Sequence, residues 1–180
     1  NKFGIDFKTA KKIILLAMGF SHVRIAGLHI HIGSQITMPD PFISAISKVI
    51  KFIEELKKIG IDLEYLNIGG GLGIIYNKEA PQTARKFAAK ALPLLRKARL
   101  KIIMEPGRFI VGNAGILVTK ILYVKNTPKK KFIIVDAGMN DLIRPALYEA
   151  YHRVEPLTIG RSRVKAQKAD VVGPICESGD

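Results

Sequence analysis

Leu63-Glu64-Tyr65-Leu66-Asn67-Ile68-Gly69-Gly70-Gly71-Leu72-Gly73 runs an apolar segment straight into consecutive glycines. Residues 63–68 read as a strand, and the glycines let the backbone turn with positive φ and aim N–H groups at an anion such as phosphate. A longer amphipathic stretch lies on either side. Upstream, Pro41 to Ile59 spaces Ile43, Ile46, Val49, Ile50, Ile53 and Leu56 along one helix face, with Gly60 as the expected C-cap. Downstream, Pro81 to Leu100 is again helical in period, and Pro93 predicts a kink or a break there. Arg24 to Ile32 and Lys101 to Met104 read as the preceding and following strands. This alternation predicts an α/β fold with a parallel sheet or a (β/α)8 barrel.

After Gly115 the rhythm changes. Ile116 to Val124 and Lys131 to Asp136 read as strands joined through Asn126-Thr127-Pro128 with no helix between them. The expected organisation is therefore part of a TIM barrel over residues 1–115, then the start of a C-terminal β-domain over 116–180. A (β/α)8 barrel usually takes ~250 residues, more than the 180 here. Asn1 is no initiator and Asp180 follows Ser178-Gly179 within a loop, so an internal fragment is expected.

A composition of 48% hydrophobic and 24% charged residues is that of a globular chain. The sequence shows no signal-peptide pattern and no run of ~18 apolar residues, so a cytoplasmic protein without membrane contact is expected. The single cysteine, Cys176, has no internal disulfide partner. A net charge of +14 raises the question of nucleic acid. The lysines and arginines fall on helix faces and turns with few stacking aromatics among them, which is the pattern of a solvated surface, and nucleic-acid binding is not expected.

Three constellations carry chemistry. In Gly27-Leu28-His29-Ile30-His31-Ile32-Gly33-Ser34-Gln35, period two puts His29 and His31 on one face of a strand that ends in Gly-Ser-Gln. A core histidine is the plain reading of His29, and His-x-His also suggests a metal-dependent hydrolase. That reading needs further histidines or carboxylates at later strand ends, and His22 and His152 do not lie at such ends. The glycine run fails the dinucleotide fingerprint, since Ile74 stands where a third glycine is needed, and it lacks the Lys-Ser/Thr of a P-loop. The favoured ligand is a phosphate on something other than a nucleotide. Glu105-Pro106-Gly107-Arg108 follows the third strand, where carboxylate and guanidinium could pair with each other, or hold a protonated ring nitrogen and an oxyanion. A phosphate cradle, a stacking histidine and a carboxylate for a pyridinium together describe a pyridoxal 5'-phosphate (PLP) pocket without a metal.

The segments GLHIHIGSQ (27–35), LNIGGGLGI (66–74), EPGRFIVGNAGIL (105–117), VDAGMNDLIRPALYEAYH (135–152) and VVGPICESGD (171–180) resemble, in order and spacing, the diaminopimelate decarboxylases of the alanine-racemase-like PLP fold. The resemblance implies that His31 stacks on the pyridine ring, Ser34 and the amides of Gly69, Gly70 and Gly71 surround the phosphate, and Glu105 holds the ring nitrogen. It implies that Gly107 and Arg108 contact the cofactor, and that Arg108 also lies near the substrate. Arg144 and Tyr148 would grip a substrate carboxylate, Cys176 would return a proton to the substrate carbon, and Glu177 would meet the distal ammonium. The implied activity is decarboxylation of meso-2,6-diaminopimelate to L-lysine and CO2, the last step of lysine biosynthesis, in a homodimer with shared active sites. Two alternatives stay open: an ornithine, arginine or carboxynorspermidine type of decarboxylase, and a non-catalytic binding relative. The family's Schiff-base lysine is expected upstream of Asn1, so the segment alone is expected to be inactive.

Overall fold

The computed structural model describes residues 2–157 and 167–180. It divides into two compact units: residues 1–75 with 79–114, and residues 76–78 with 115–180. In the first unit, α1 (Phe7–Ala17), β1 (Gly27–His29), α2 (Asp40–Lys58), β2 (Tyr65–Asn67), α3 (Ala84–Ala98), β3 (Lys101–Ile103) and α4 (Gly107–Val111) follow one another. Strands β1, β2 and β3 form a parallel sheet in that order. Parallel neighbours cannot be joined by a tight turn, so α2 and α3 serve as the crossovers. This is the α/β alternation the sequence predicts.

Helix α2 buries Phe42, Ile46, Val49, Ile50, Phe52, Ile53 and Leu56. Asp40 lies in its first turn and Lys57 and Lys58 in its last, each sign favourable to the helix dipole. It stops where Gly60 adopts φ +83° and donates to Lys57 O at 3.0 Å, a conformation that glycine reaches without a Cβ penalty. Helix α3 starts at Thr83, whose Oγ1 accepts from Lys86 N at 3.2 Å. It runs through Pro93 to Ala98 without breaking. Phe87, Ala91 and Leu95 pack into the same core as α2, and that burial outweighs one missing helical hydrogen bond. Leu56 and Leu66, both 0% exposed, mark the centre of the core.

The strands are shorter than their apolar runs. The run Arg24 to Ile32 forms a strand only over Gly27–His29, after which Gly33 (φ +142°) and Gln35 (φ +56°) turn the chain away. Register decides what each face carries. Leu28, Leu66 and Ile102 stand side by side, as do His29, Asn67 and Ile103. Leu66 and Leu28 join the helix-covered core. Since side chains alternate, the second row continues two residues on into His31, Gly69 and Glu105, all at the C-terminal ends of their strands.

The second unit holds β4 (Ile121–Asn126), β5 (Lys131–Val135), α5 (Arg144–Tyr148) and β6 (Asp170–Val172). Its sheet has the order β4-β5-β6, antiparallel between β4 and β5 and parallel between β5 and β6. The turn joining β4 to β5 is closed by Thr127 N donating to Lys130 O at 2.9 Å. The expected strand Ile116 to Val124 forms only from Ile121, because residues 116–120 lie before the point where the chain pairs with β5. Among the described residues no helix is long and apolar enough to cross a membrane.

Candidate functional site

The three strand ends of the first unit converge on Glu105. Its Oε1 accepts from Asn67 Nδ2 at 2.7 Å and lies 3.6 Å from His29 Nε2. Asn67 also accepts through Oδ1 from Gly69 N at 2.8 Å, an Asx turn that starts the glycine segment. Gly70 N donates to His31 Nδ1 at 3.3 Å. Arg108 Nη2 donates to Ser34 Oγ at 2.9 Å. The structure thus brings His31, Ser34, Gly69, Gly70, Gly71, Glu105, Gly107 and Arg108 together at one end of the parallel sheet.

The glycines are required by the scaffold itself. A Cβ at Gly69 would overlap Ile30 O, one at Gly70 the Glu105 carbonyl, and one at Gly71 the Gly33 carbonyl. Gly69 (φ +68°) and Gly71 (φ +94°) also hold left-handed backbone. Close approach of the three strand ends therefore fixes this loop. Of the three amides expected around a phosphate, those of Gly69 and Gly70 already donate to Asn67 and His31. The Gly71 amide makes no hydrogen bond among the described residues. The donors able to meet an anion here are that amide, Ser34 Oγ and the Arg108 guanidinium.

His29, His31 and Glu105 place their ligand atoms within 4.8 Å of one another, a composition seen in zinc sites. Glu105 is the later strand-end carboxylate that the metal reading needs. The Gly70 N–H points at His31 Nδ1, which favours the tautomer with the ring proton on Nε2. The cluster is better suited to an organic ring: an imidazole face, a carboxylate acceptor and donors for an anion. That set fits PLP. The family model for the pyridoxal binding domain of pyridoxal-dependent decarboxylases matches residues 1–112.

The chain belongs to the pyridoxal-dependent decarboxylases. The chain is 49% identical over 182 residues to the diaminopimelate decarboxylase of Aquifex aeolicus, covering 100% of this chain and 43% of that enzyme. The crystal structure of diaminopimelate decarboxylase from Helicobacter pylori complexed with L-lysine superposes with a TM-score of 0.92 at 42% identity, over 100% of this chain and 44% of that one. A lysine/ornithine decarboxylase from Vibrio vulnificus complexed with cadaverine superposes at 0.88 with 26% identity, over 99% of this chain and 48% of that one. The chain thus spans less than half the length of these relatives.

In the second unit, α5 carries Arg144 at its start and Tyr148 at its end, and Tyr148 is exposed. Among the described residues Arg144 makes no ion pair. Its Nη1 lies 3.1 Å from His152 Nε2, and its guanidinium carbon sits 4.6 Å from the centroid of the Tyr76 ring. Burial, and then the Arg144 charge, hold His152 below the ordinary histidine pKa. Cys176 is exposed. Glu177 Oε1 accepts from Ser178 N at 2.9 Å and Ser178 Oγ at 3.0 Å. The Asp180 carboxylate accepts from Ile175 N at 2.8 Å and from Met139 N, tying the Cys176 loop to the turn after β5.

Proposed function

We propose that this chain supplies the cofactor pocket and the substrate-binding elements of a PLP-dependent decarboxylase that converts meso-2,6-diaminopimelate to L-lysine and CO2. The observation that carries this reading is the Asn67–Glu105 pair beside His31 and the Ser34–Arg108 pair. A carboxylate fixed by an amide is suited to hold a proton on a pyridine nitrogen. The names of the relatives at 42–49% identity support the substrate.

When bound, PLP supplies an electron sink for the pair left on the substrate carbon as CO2 departs. Glu105 makes that sink effective by accepting the hydrogen bond of the protonated ring nitrogen. His31 would stack on the cofactor ring. Ser34, the Gly71 amide and Arg108 meet the phosphate, with Gly107 opening the helix that carries Arg108. In this reading Arg144 and Tyr148 bind the distal carboxylate, Glu177 meets the distal ammonium, and Cys176 Sγ delivers the proton that replaces CO2. We further propose a cytoplasmic homodimer in which the Cys176–Glu177 loop serves the cofactor pocket of the second copy.

The test is Glu105→Ala in the full-length enzyme. A loss in kcat on the order of 10²-fold with KM little changed is expected, as for removal of a preorganised electrostatic partner. An unchanged kcat would remove Glu105 from the chemistry.

A further inference from the structure

The first unit is accounted for by cofactor binding, but the second contains a three-part clasp that those roles leave unexplained. Tyr76 comes from the short segment 76–78, which packs with the second unit although it follows β2 in sequence. Its ring lies under the Arg144 guanidinium at 4.6 Å and meets the His152 ring edge-on at 5.8 Å and 72°. His152 in turn approaches Arg144 Nη1 at 3.1 Å. All three side chains are half-buried.

We propose that His152 and Tyr76 are positioning residues that hold the Arg144 guanidinium in the single orientation able to present a two-pronged fork to the distal carboxylate of the substrate. The proposal deepens the reading of Arg144 given above and rests on it. Arginine is a donor only, so a 3.1 Å contact from Nη1 requires His152 Nε2 to accept and places the ring proton on Nδ1. Tyr76 occupies one guanidinium face, and His152 takes one of the five N–H groups. What is left is an edge of parallel donors, the geometry that bidentate carboxylate recognition needs. A long, flexible arginine held in this way loses little further freedom on binding, which favours affinity rather than the chemical step.

Protonation of His152 would turn its Nε2 into a donor and break the clasp. Burial and the neighbouring Arg144 both favour the neutral ring. Arg144, from α5, is the charged group that acts on it, and Tyr76 faces it from residues 76–78. The adjacent Arg153 is turned to Glu155.

The experiment uses the full-length PLP-loaded enzyme and compares two ligands by calorimetry: L-lysine, which keeps the distal carboxylate, and cadaverine, which lacks it. His152→Ala is expected to weaken L-lysine about tenfold and to leave cadaverine within about twofold. His152→Gln, whose side-chain oxygen can reach the position of Nε2 and still accept, is expected to recover most of the loss. Wild-type affinity for L-lysine is expected to fall as pH drops through the His152 ionisation, and the Gln variant to lose that dependence. Equal weakening of both ligands, or no weakening by His152→Ala, overturns the clasp. If Arg144→Ala keeps full L-lysine affinity, or the wild type fails to bind L-lysine, the reading of Arg144 falls and the clasp with it.

Discussion

Asn67 donates through Nδ2 to Glu105 Oε1 at 2.7 Å while its Oδ1 accepts from Gly69 N at 2.8 Å. One amide thereby joins the carboxylate at the end of β3 to the turn after β2, using a donor and an acceptor that no carboxylate could supply together. Asn67→Asp would keep the acceptor, lose the donor and set two carboxylates at contact distance, which disfavours the charged form of the pair. The variant is expected to bind PLP at least about tenfold more weakly and to lose kcat, read by cofactor titration alongside turnover. Wild-type values for both would show that Asn67 does not position Glu105.

Gly70 and Gly115 offer a paired test of whether packing fixes the glycine loop. A Cβ at Gly70 would overlap the Glu105 carbonyl, a backbone atom that cannot swing aside, whereas a Cβ at Gly115 meets nothing within 4 Å. Gly70→Ala is expected to destabilise the enzyme by about 3 kcal/mol, the upper end of overpacking costs. Gly115→Ala should melt like the wild type. Equal melting temperatures would refute the steric account.

His152 also makes stability depend on pH. Its folded pKa is lowered from 6.5, first by burial and then by Arg144, so below 6.5 the unfolded chain takes up a proton that the folded chain resists. Unfolded protein then binds more protons, and stability rises with pH across the window between the lowered folded value and 6.5. Below that window the loss is complete, and above it the contribution vanishes. Replacing His152 with Asn is expected to flatten this part of the stability curve measured by denaturant unfolding, and a slope identical to wild type would contradict the assignment.

Much of the first unit was legible because its signals are local. Helix α2 follows from the spacing of Ile46, Val49, Ile50, Ile53 and Leu56, all of which are buried. Apolar runs overstate the strand lengths, since a run such as Arg24 to Ile32 does not reveal where a turn at Gly33 pulls the chain out of register. Pro93 sits inside α3 because tertiary burial of Phe87, Ala91 and Leu95 overrides a local rule. Helix α1 has a local signal in Asp6, which caps Thr9 N at 3.0 Å, but its apolar face is mixed with exposed Leu15 and Leu16. The residue types at the site stood out in the motifs, whereas their partners did not. Asn67 reaches Glu105 only through the parity of two strands 38 positions apart. Tyr76 reaches Arg144 only through a chain segment that crosses into the second unit, and nothing in their local sequence points to that meeting.

The proposed reaction is the decarboxylation of meso-2,6-diaminopimelate to L-lysine and CO2. The direct test is to express the complete reading frame that contains this segment, load it with PLP, and measure CO2 release from meso-diaminopimelate beside ornithine, arginine and lysine. Release from meso-diaminopimelate alone is the predicted result. Release from ornithine, arginine or lysine instead would keep the cofactor pocket and overturn the substrate, and silence with all four despite bound PLP would contradict the account.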